Sequence, residues 1–362
     1  MNIPETMCAV LTTGHGGIEK LQYVTDYPVP RPDAGEVLIQ VRSCGINNTD
    51  IWVREGAYGT DANPHAVASW RRSGEETLKF PRIQGADSAG YVVARGQGVA
   101  SLPVGARVMV EAALYNTDSD SLSDIDYIGH GRDGGYAEYV VVPADNAHPI
   151  KKDLSDAELG TFWCAYHTGE HMLDRARVKT GERVLITGAS GGVGTALIQL
   201  CRARGAIPFC VCGHGKEEAL VGIGAECAVS RSSGDLVKVV KEMMGDFDVD
   251  VVADLVAGPM FGQLLEILRP EGRYVTAGAI GGPVVPFDVR TMYLKHLELH
   301  GSSQGSRQAF RRLVSYIERG AVKPLLFRTY ALSDIKQAQQ DFIQKKHIGK
   351  LVVVPDSFYE HS

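Results

Sequence analysis

The stretch Val184 to Gly194, V-L-I-T-G-A-S-G-G-V-G, constrains this chain more than any other. An apolar strand pattern runs unbroken into Gly188-x-x-Gly191-x-x-Gly194 and then into a helical pattern, with Val193, Leu197, Leu200 and Arg204 on neighbouring turns. In that strand–turn–helix context a glycine-rich turn points to dinucleotide binding. Gly188 and Gly191 allow the turn and let the backbone approach a pyrophosphate, while Gly194 lets the helix pack closely on the strand. The exposed amides at the helix start attract the anion. Cofactor contacts are therefore expected from Gly188, Ala189, Ser190, Gly191, Gly192, Val193 and Gly194. The spacing is not the common G-x-G-x-x-G, and an ordinary tight βα turn is the alternative.

From Arg183 onward, short buried strands alternate with amphipathic helices: Ile207–Val211, Asp235–Met244, Val249–Ala253, Phe261–Leu268 and Arg273–Ala277. Such alternation predicts a parallel sheet with helices on both faces. Ser155, with Glu158 three residues on, predicts a capped helix start. The first 150 residues read differently. Glu36–Val41, Tyr91–Ala94, Arg107–Glu111 and Tyr136–Val142 are short strand patterns separated by Gly, Pro, Asn and Asp, as in a mostly antiparallel β domain. Gly59–Lys79 and the acidic Tyr115–Asp133 are long excursions of the kind that form lids, binding loops or mobile segments. After His300 come a helix with Phe310, Leu313, Val314 and Ile317 on one face, a strand, a helix capped by Ser333, and the apolar run Leu351–Val354.

A formal charge of −6 argues against a nucleic-acid binder, and apolar runs fall far short of the ~20 residues that span a bilayer. Seven scattered cysteines make no disulfide framework, and no signal peptide is evident, so a reduced, cytoplasmic protein is expected.

The strand after the glycine turn should end in the residue that reads the adenosine ribose, an acidic one in NAD-specific folds. Here the chain reads Cys210-Val211-Cys212-Gly213-His214-Gly215-Lys216, with no carboxylate before Glu217. Gly213, His214 and Lys216 suit a 2′-phosphate and predict NADP(H) over NAD; a merely solvated loop is the alternative. Cys210 and Cys212 face one side of a strand and are expected in the core.

Further segments match a known family in order. They are Cys44–Asp50 (C-G-I-N-N-T-D), Gly85–Gly90 (G-A-D-S-A-G), Asp133–Val140 (D-G-G-Y-A-E-Y-V), the Val184–Gly194 turn, Leu268–Arg273 (L-R-P-E-G-R) and His347–Lys350 (H-I-G-K). Over nearly its whole length the chain resembles the medium-chain dehydrogenase/reductase superfamily, and within it the zinc-independent quinone oxidoreductases similar to zeta-crystallin. The resemblance implies an α/β architecture: a GroES-like, mainly-β catalytic domain plus a doubly wound parallel-sheet Rossmann domain. The expected boundaries are 1–157 for the catalytic domain, 158–304 for the cofactor domain and 305–362 for a return to the first. A homodimer or homotetramer is the expected assembly.

In the zinc-dependent branch the metal-ligand positions fall on Asn47, Ala86 and Cys164 of this chain. Ala86 coordinates nothing, and a catalytic zinc needs about three protein ligands. No cysteine lies between Cys44 and Cys164, so the structural-zinc cluster is missing too. No metal is expected. Without a Lewis acid, hydride addition to a quinone or an α,β-unsaturated carbonyl is the easier chemistry, because charge delocalises onto an oxygen that hydrogen-bond donors stabilise.

Tyr58, where related reductases carry an active-site tyrosine, is the expected proton donor; the alternative is a pocket-shaping tyrosine with water as proton source. Asn47 offers an amide donor or a structural turn. Asp50 is expected to cap the helix that follows. Thr168 matches a cofactor-contacting residue of relatives, and His167 either relays protons or packs in the core. Val256 and the strand end Ala277, Gly278 and Ala279 are expected near the nicotinamide carboxamide, since ligands of open α/β sheets lie outside the carboxyl ends of strands. A zinc-type alcohol dehydrogenase and a non-catalytic NADPH-binding protein of the same fold are the competing readings.

Overall fold

The structure, a computed structural model, describes residues 3–58, 78–115, 122, 125–245 and 248–359. Most of the 59–79 excursion and Asp118, Asp120 and Asp124 of the acidic one lie outside them. The chain forms two compact units, one of residues 1–164, 324–346 and 350–362, the other of 165–323 and 347–349.

The first unit is mainly β. Its elements are β1 (Thr6–Thr12), β2 (Leu21–Pro28), β3 (Glu36–Gly45), α1 (Asn48–Glu55), β4 (Arg82–Ile83), β5 (Asp87–Arg95), β6 (Arg107–Val110), β7 (Ala113–Tyr115), β8 (Ile125–Tyr127), β9 (Tyr139–Pro143), β10 (Ala147–Pro149) and α2 (Asp156–Leu159). The long β3 is central. It pairs antiparallel with β5, with β9 along Glu36–Gln40, and with a strand from the C-terminal end of the chain at Cys44 and Gly45. Val37, Leu38, Ile39 and Val41 are all fully buried, which explains the near-continuous apolar run of its sequence. Ser155 caps α2 as expected, accepting from the Glu158 N–H at 3.2 Å while Glu158 accepts from the Ser155 N–H at 2.7 Å.

Helix α3 (Trp163–Arg175) leads to the second unit, with β11 (Arg183–Ile186), α4 (Gly192–Ala203), β12 (Ile207–Cys212), α5 (Glu217–Ile223), β13 (Cys227–Ser230), α6 (Leu236–Met244), β14 (Val249–Asp254), α7 (Phe261–Ile267), β15 (Leu268–Thr276), α8 (Val289–Leu294), β16 (Glu298–Gly301) and α9 (Arg307–Glu318). All strand pairs are parallel, in the order β13-β12-β11-β14-β15-β16. This is the doubly wound order, which reverses direction between β11 and β14 and opens a crevice at their carboxyl ends. The expected fold class, a mainly-β domain with a Rossmann-type parallel sheet, is the one the chain adopts. Helix α9 lies inside the stretch expected to return to the catalytic domain, yet it belongs to this unit, where Arg312 binds Glu170 at 2.8 Å.

Back in the first unit come β17 (Leu326–Ala331), α10 (Ile335–Ile343) and β18 (Lys350–Val354). Strand β18 lies between β3 and β17, and all five of its residues are buried. Ser333 does not cap α10 as expected: its hydroxyl donates to Asp356, and Asp334 occupies the cap position. Nor does Tyr136 lie in a strand, since β9 starts at Tyr139 and the Tyr136 ring turns into the core. Among the described residues no helix is long and apolar enough to cross a membrane.

Candidate active site

In the second unit the expected cofactor residues gather at the carboxyl edge of the sheet. Gly188 leaves β11 with φ +57°, a left-handed turn that favours glycine. At Gly194 a Cβ would stand 2.5 Å from both Gly188 O and Ala189 Cα, so the helix could not dock on the turn with any other residue. Gly191 is different. Its φ of −77° suits any residue, and a Cβ there meets nothing nearer than Gly188 O at 3.6 Å. Among the described residues nothing demands glycine at 191, whereas a pyrophosphate lying on the first amides of α4 would. Gly213, after β12, is likewise open, with nothing within 4 Å of an added Cβ. The turn therefore fits a dinucleotide.

The two cationic candidates part company. The His214 side chain is 89% exposed, with only a 4.0 Å approach to Glu217. The Lys216 ammonium, whose pKa burial lowers, donates to the His347 carbonyl at 2.9 Å and to Ser190 Oγ at 3.4 Å. It is half-buried and held beside the glycine turn.

Val256 lies against the turn, its Cγ2 3.2 Å from the place of a Gly188 Cβ. Ala277 and Gly278 join the same edge, through the Ala277 N–H to Asp254 O and the close approach of Gly278 to Leu255 O; Ala279 follows them, half-buried. Asp254 organises this edge. Fully buried, it accepts from Thr187 Oγ1, the Tyr274 hydroxyl, the Val256 N–H at 2.9 Å and the Ala257 N–H at 3.0 Å. Thr168 is half-buried on α3. His167 is buried, with Nε2 3.0 Å from Ser306 O and its ring edge-on to Phe310. Both contacts suit packing in the core. Cys210 and Cys212 are both in the core.

In the first unit, α1 presents the other candidates. Asn47 precedes the helix, and its N–H donates to Asp50 Oδ2 at 2.8 Å, so Asp50 caps as expected. The same carboxylate oxygen accepts from the Tyr136 hydroxyl at 2.7 Å. Burial pushes the pKa of Asp50 up to about 6 despite these donors. Tyr58 lies just beyond the helix, edge-on to Trp52 and hydrogen-bonded to Thr49. Burial pushes its pKa up to about 12, so it holds its proton at neutral pH.

Beside Asn47 stands a group with no role assigned from the sequence. The Lys350 ammonium is 3% exposed and donates to Ile46 O at 3.0 Å, to Asn47 Oδ1, and to Asp87 Oδ2 at 2.8 Å. Asp87 Oδ1 in turn accepts from the Cys164 N–H at 2.8 Å. Burial works against the charge, but Asp87 holds the pKa of Lys350 above its usual value. These residues do not fit a catalytic zinc. Ala86 offers no ligand atom, and the Asn47 oxygen is engaged by a cation already in place. Among the described residues no three His, Cys, Asp or Glu side chains form a metal-binding group. The available signals for Lys350 are its place in the H-I-G-K match and at the head of a wholly apolar run, L-V-V-V.

Comparisons with known proteins agree with this architecture. Residues 33–152 match the alcohol dehydrogenase GroES-like domain, and residues 192–319 match the zinc-binding dehydrogenase family. The chain is 29% identical over 359 residues to quinone oxidoreductase of Mus musculus, covering 96% of this chain and 98% of that one. It is 27% identical over 343 residues to an NAD-dependent alcohol dehydrogenase of Sulfurisphaera tokodaii, covering 91% and 95%. A solved structure from Sinorhizobium meliloti 1021, provisionally called an alcohol dehydrogenase, is 63% identical with a TM-score of 0.95, covering 98% of each chain.

Proposed function

We propose that this chain, which belongs to the medium-chain dehydrogenase/reductase superfamily, is an NADPH-dependent, zinc-independent reductase of quinones or α,β-unsaturated carbonyls. The observation that carries the reading is the Lys350 ammonium against Asn47 Oδ1 and Asp87, which leaves hydrogen-bond donors in the first unit and no ligand set for a Lewis acid. Bound NADPH supplies the hydride. The Gly188–Gly194 turn holds its pyrophosphate, and Lys216, anchored on Ser190, answers the 2′-phosphate.

Reduction of a conjugated acceptor places negative charge on its oxygen. The Asn47 amide and the Tyr58 hydroxyl are the donors that stabilise such an oxygen, and Tyr58, with its raised pKa, delivers the proton. The same reading proposes a homodimer or homotetramer, which light scattering of the purified protein checks.

The test is steady-state NADPH oxidation against a panel of quinones, enones and enoyl thioesters, before and after dialysis against a strong chelator, with zinc counted on the same sample. Turnover that survives chelation, at well under one zinc per chain, is expected. Stoichiometric zinc with chelator-sensitive alcohol oxidation would instead make it a zinc-type alcohol dehydrogenase. Tight NADPH binding with no turnover on any acceptor would make it a binding protein.

A further inference from the structure

Lys350 is a buried cation in a reductase whose chemistry, as read above, does not use it. Its surroundings leave little freedom. Ile46 O, Asn47 Oδ1 and Asp87 Oδ2 take its three N–H bonds, so the ammonium neither turns nor reaches out. Asp87 is fully engaged as well, with one oxygen on Lys350 and the other on the Cys164 N–H.

The consequence falls on Asn47. A side-chain amide has two faces of similar shape, one accepting and one donating, and its neighbours decide which way it points. An ammonium only donates. With the Lys350 ammonium and the Asp50 N–H of the capping box both donating to the side chain, the amide presents Oδ1 to them and carries its NH2 on the far side, where the one contact among the described residues is Gly45 O at 3.4 Å. One N–H of that group has no partner there. We propose that Lys350 is a positioning residue which, through its contact with Oδ1, fixes the Asn47 amide as a hydrogen-bond donor toward the reducible carbonyl. The fixed positive charge also polarises that amide and strengthens its N–H as a donor. This rests on the reading of Asn47 as a donor to the acceptor oxygen.

A double-mutant cycle tests it. N47A is expected to lower kcat for an enone by about 10²-fold, the cost of one oxyanion donor. K350M should cost a similar factor, and N47A/K350M no more than either alone, within about threefold. K350R, whose guanidinium also only donates, should recover part of the loss. NADPH affinity, read by fluorescence titration, should stay within about twofold throughout. Because K350M strands Asp87 without its cation, D87N/K350M serves as the neutral, fold-preserving counterpart and should show the same kcat loss with a near wild-type melting temperature. Turnover restored in D87N/K350M, or a double variant that loses the product of the single effects, about 10⁴-fold, overturns the proposal.

A second readout needs no substrate. In asparagine-¹⁵N-labelled protein, the side-chain NH2 signal missing from N47A is that of Asn47. It should be a single pair of resonances in the wild type, and doubled or faster-exchanging in D87N/K350M. If the wild type reduces no acceptor, the reading of its function fails while this measurement still decides the orientation. An unchanged NH2 signal in D87N/K350M sinks the positioning role.

Discussion

The ammonium of Lys216 donates to the carbonyl of His347 at 2.9 Å, across 131 residues of sequence, and to Ser190 Oγ of the glycine turn at 3.4 Å, so that its charge stands beside that turn. Replacing it by alanine should weaken NADPH binding about tenfold, the scale of one charge-assisted bond, and leave NADH within about twofold. Wild-type protein should bind NADPH at least several-fold tighter than NADH. Gly213→Asp meets no steric obstacle, since an added Cβ has nothing within 4 Å, and should shift the preference toward NADH. Fluorescence titrations with both cofactors check all three, and a Lys216→Ala protein with unaltered preference would refute the assignment.

Gly191 and Gly194 should separate folding from binding. Gly194→Ala drives a methyl into Gly188 O and Ala189 Cα and should lower the melting temperature along with cofactor affinity. Gly191→Ala clashes with none of the described residues and should melt like wild type. Its NADPH affinity should nevertheless fall by about tenfold or more, because the methyl occupies the ground a pyrophosphate needs. Calorimetry beside a binding titration reads the contrast, and unchanged affinity in Gly191→Ala would leave the turn without its ligand.

Tyr58→Phe should slow enone reduction about 10²-fold with NADPH affinity unchanged, and slow quinone reduction less, because a hydroquinone oxygen is a weaker base than an enolate. With its pKa pushed up to about 12, the phenol keeps its proton across the neutral and mildly alkaline range. Enone turnover should therefore show no alkaline limb from this residue below about pH 11. Unchanged enone turnover in the variant would hand the proton-donor role to water.

Asp50 gives a pH dependence of defined sign. Its pKa is raised to about 6 in the folded protein, against an unfolded value of about 3.9. The folded state thus holds this proton more tightly than the unfolded one. Stability from Asp50 is complete below about pH 4, falls as pH rises through about 6, and is level above that, for a total of about 3 kcal/mol. Asp50→Asn keeps an acceptor for Asn47 and Tyr136 while removing the titration. It should unfold at higher denaturant than wild type at pH 7.5 and match it near pH 4. Parallel curves for the two proteins across that range would exclude Asp50 as the source.

Local patterns carried most of the fold. The run Val37–Val41 announced a strand buried on both faces, the glycine turn announced a helix docked on β11, and Ser155 with Glu158 announced a cap. What stayed hidden depends on distant partners. Lys350 reads locally as the polar lead of a strand, and only the fold brings it to Asp87, 263 residues away in sequence. Tyr136 looked like the start of a strand because nothing nearby reveals its bond to Asp50. Ser333 has the right chemistry for a helix cap but meets the carboxylate of Asp356 first. His214 and Lys216 are near-equivalent in the sequence, and only the fold shows Lys216 held by Ser190 and His347.

The place of β18 between β3 and β17 has a consequence for the order in which a ribosome can finish this protein. The second unit has nearly all of its chain once residue 323 has emerged, and lacks only 347–349. The first unit is begun earlier but must wait for residue 354, because until then β3 lacks a neighbour at Cys44 and Gly45 and Asp87 lacks its cation. The first unit is thus built from stretches of chain made far apart in time, and β3 gains its neighbour at Cys44 and Gly45 only after residues 165–323 of the second unit have been made.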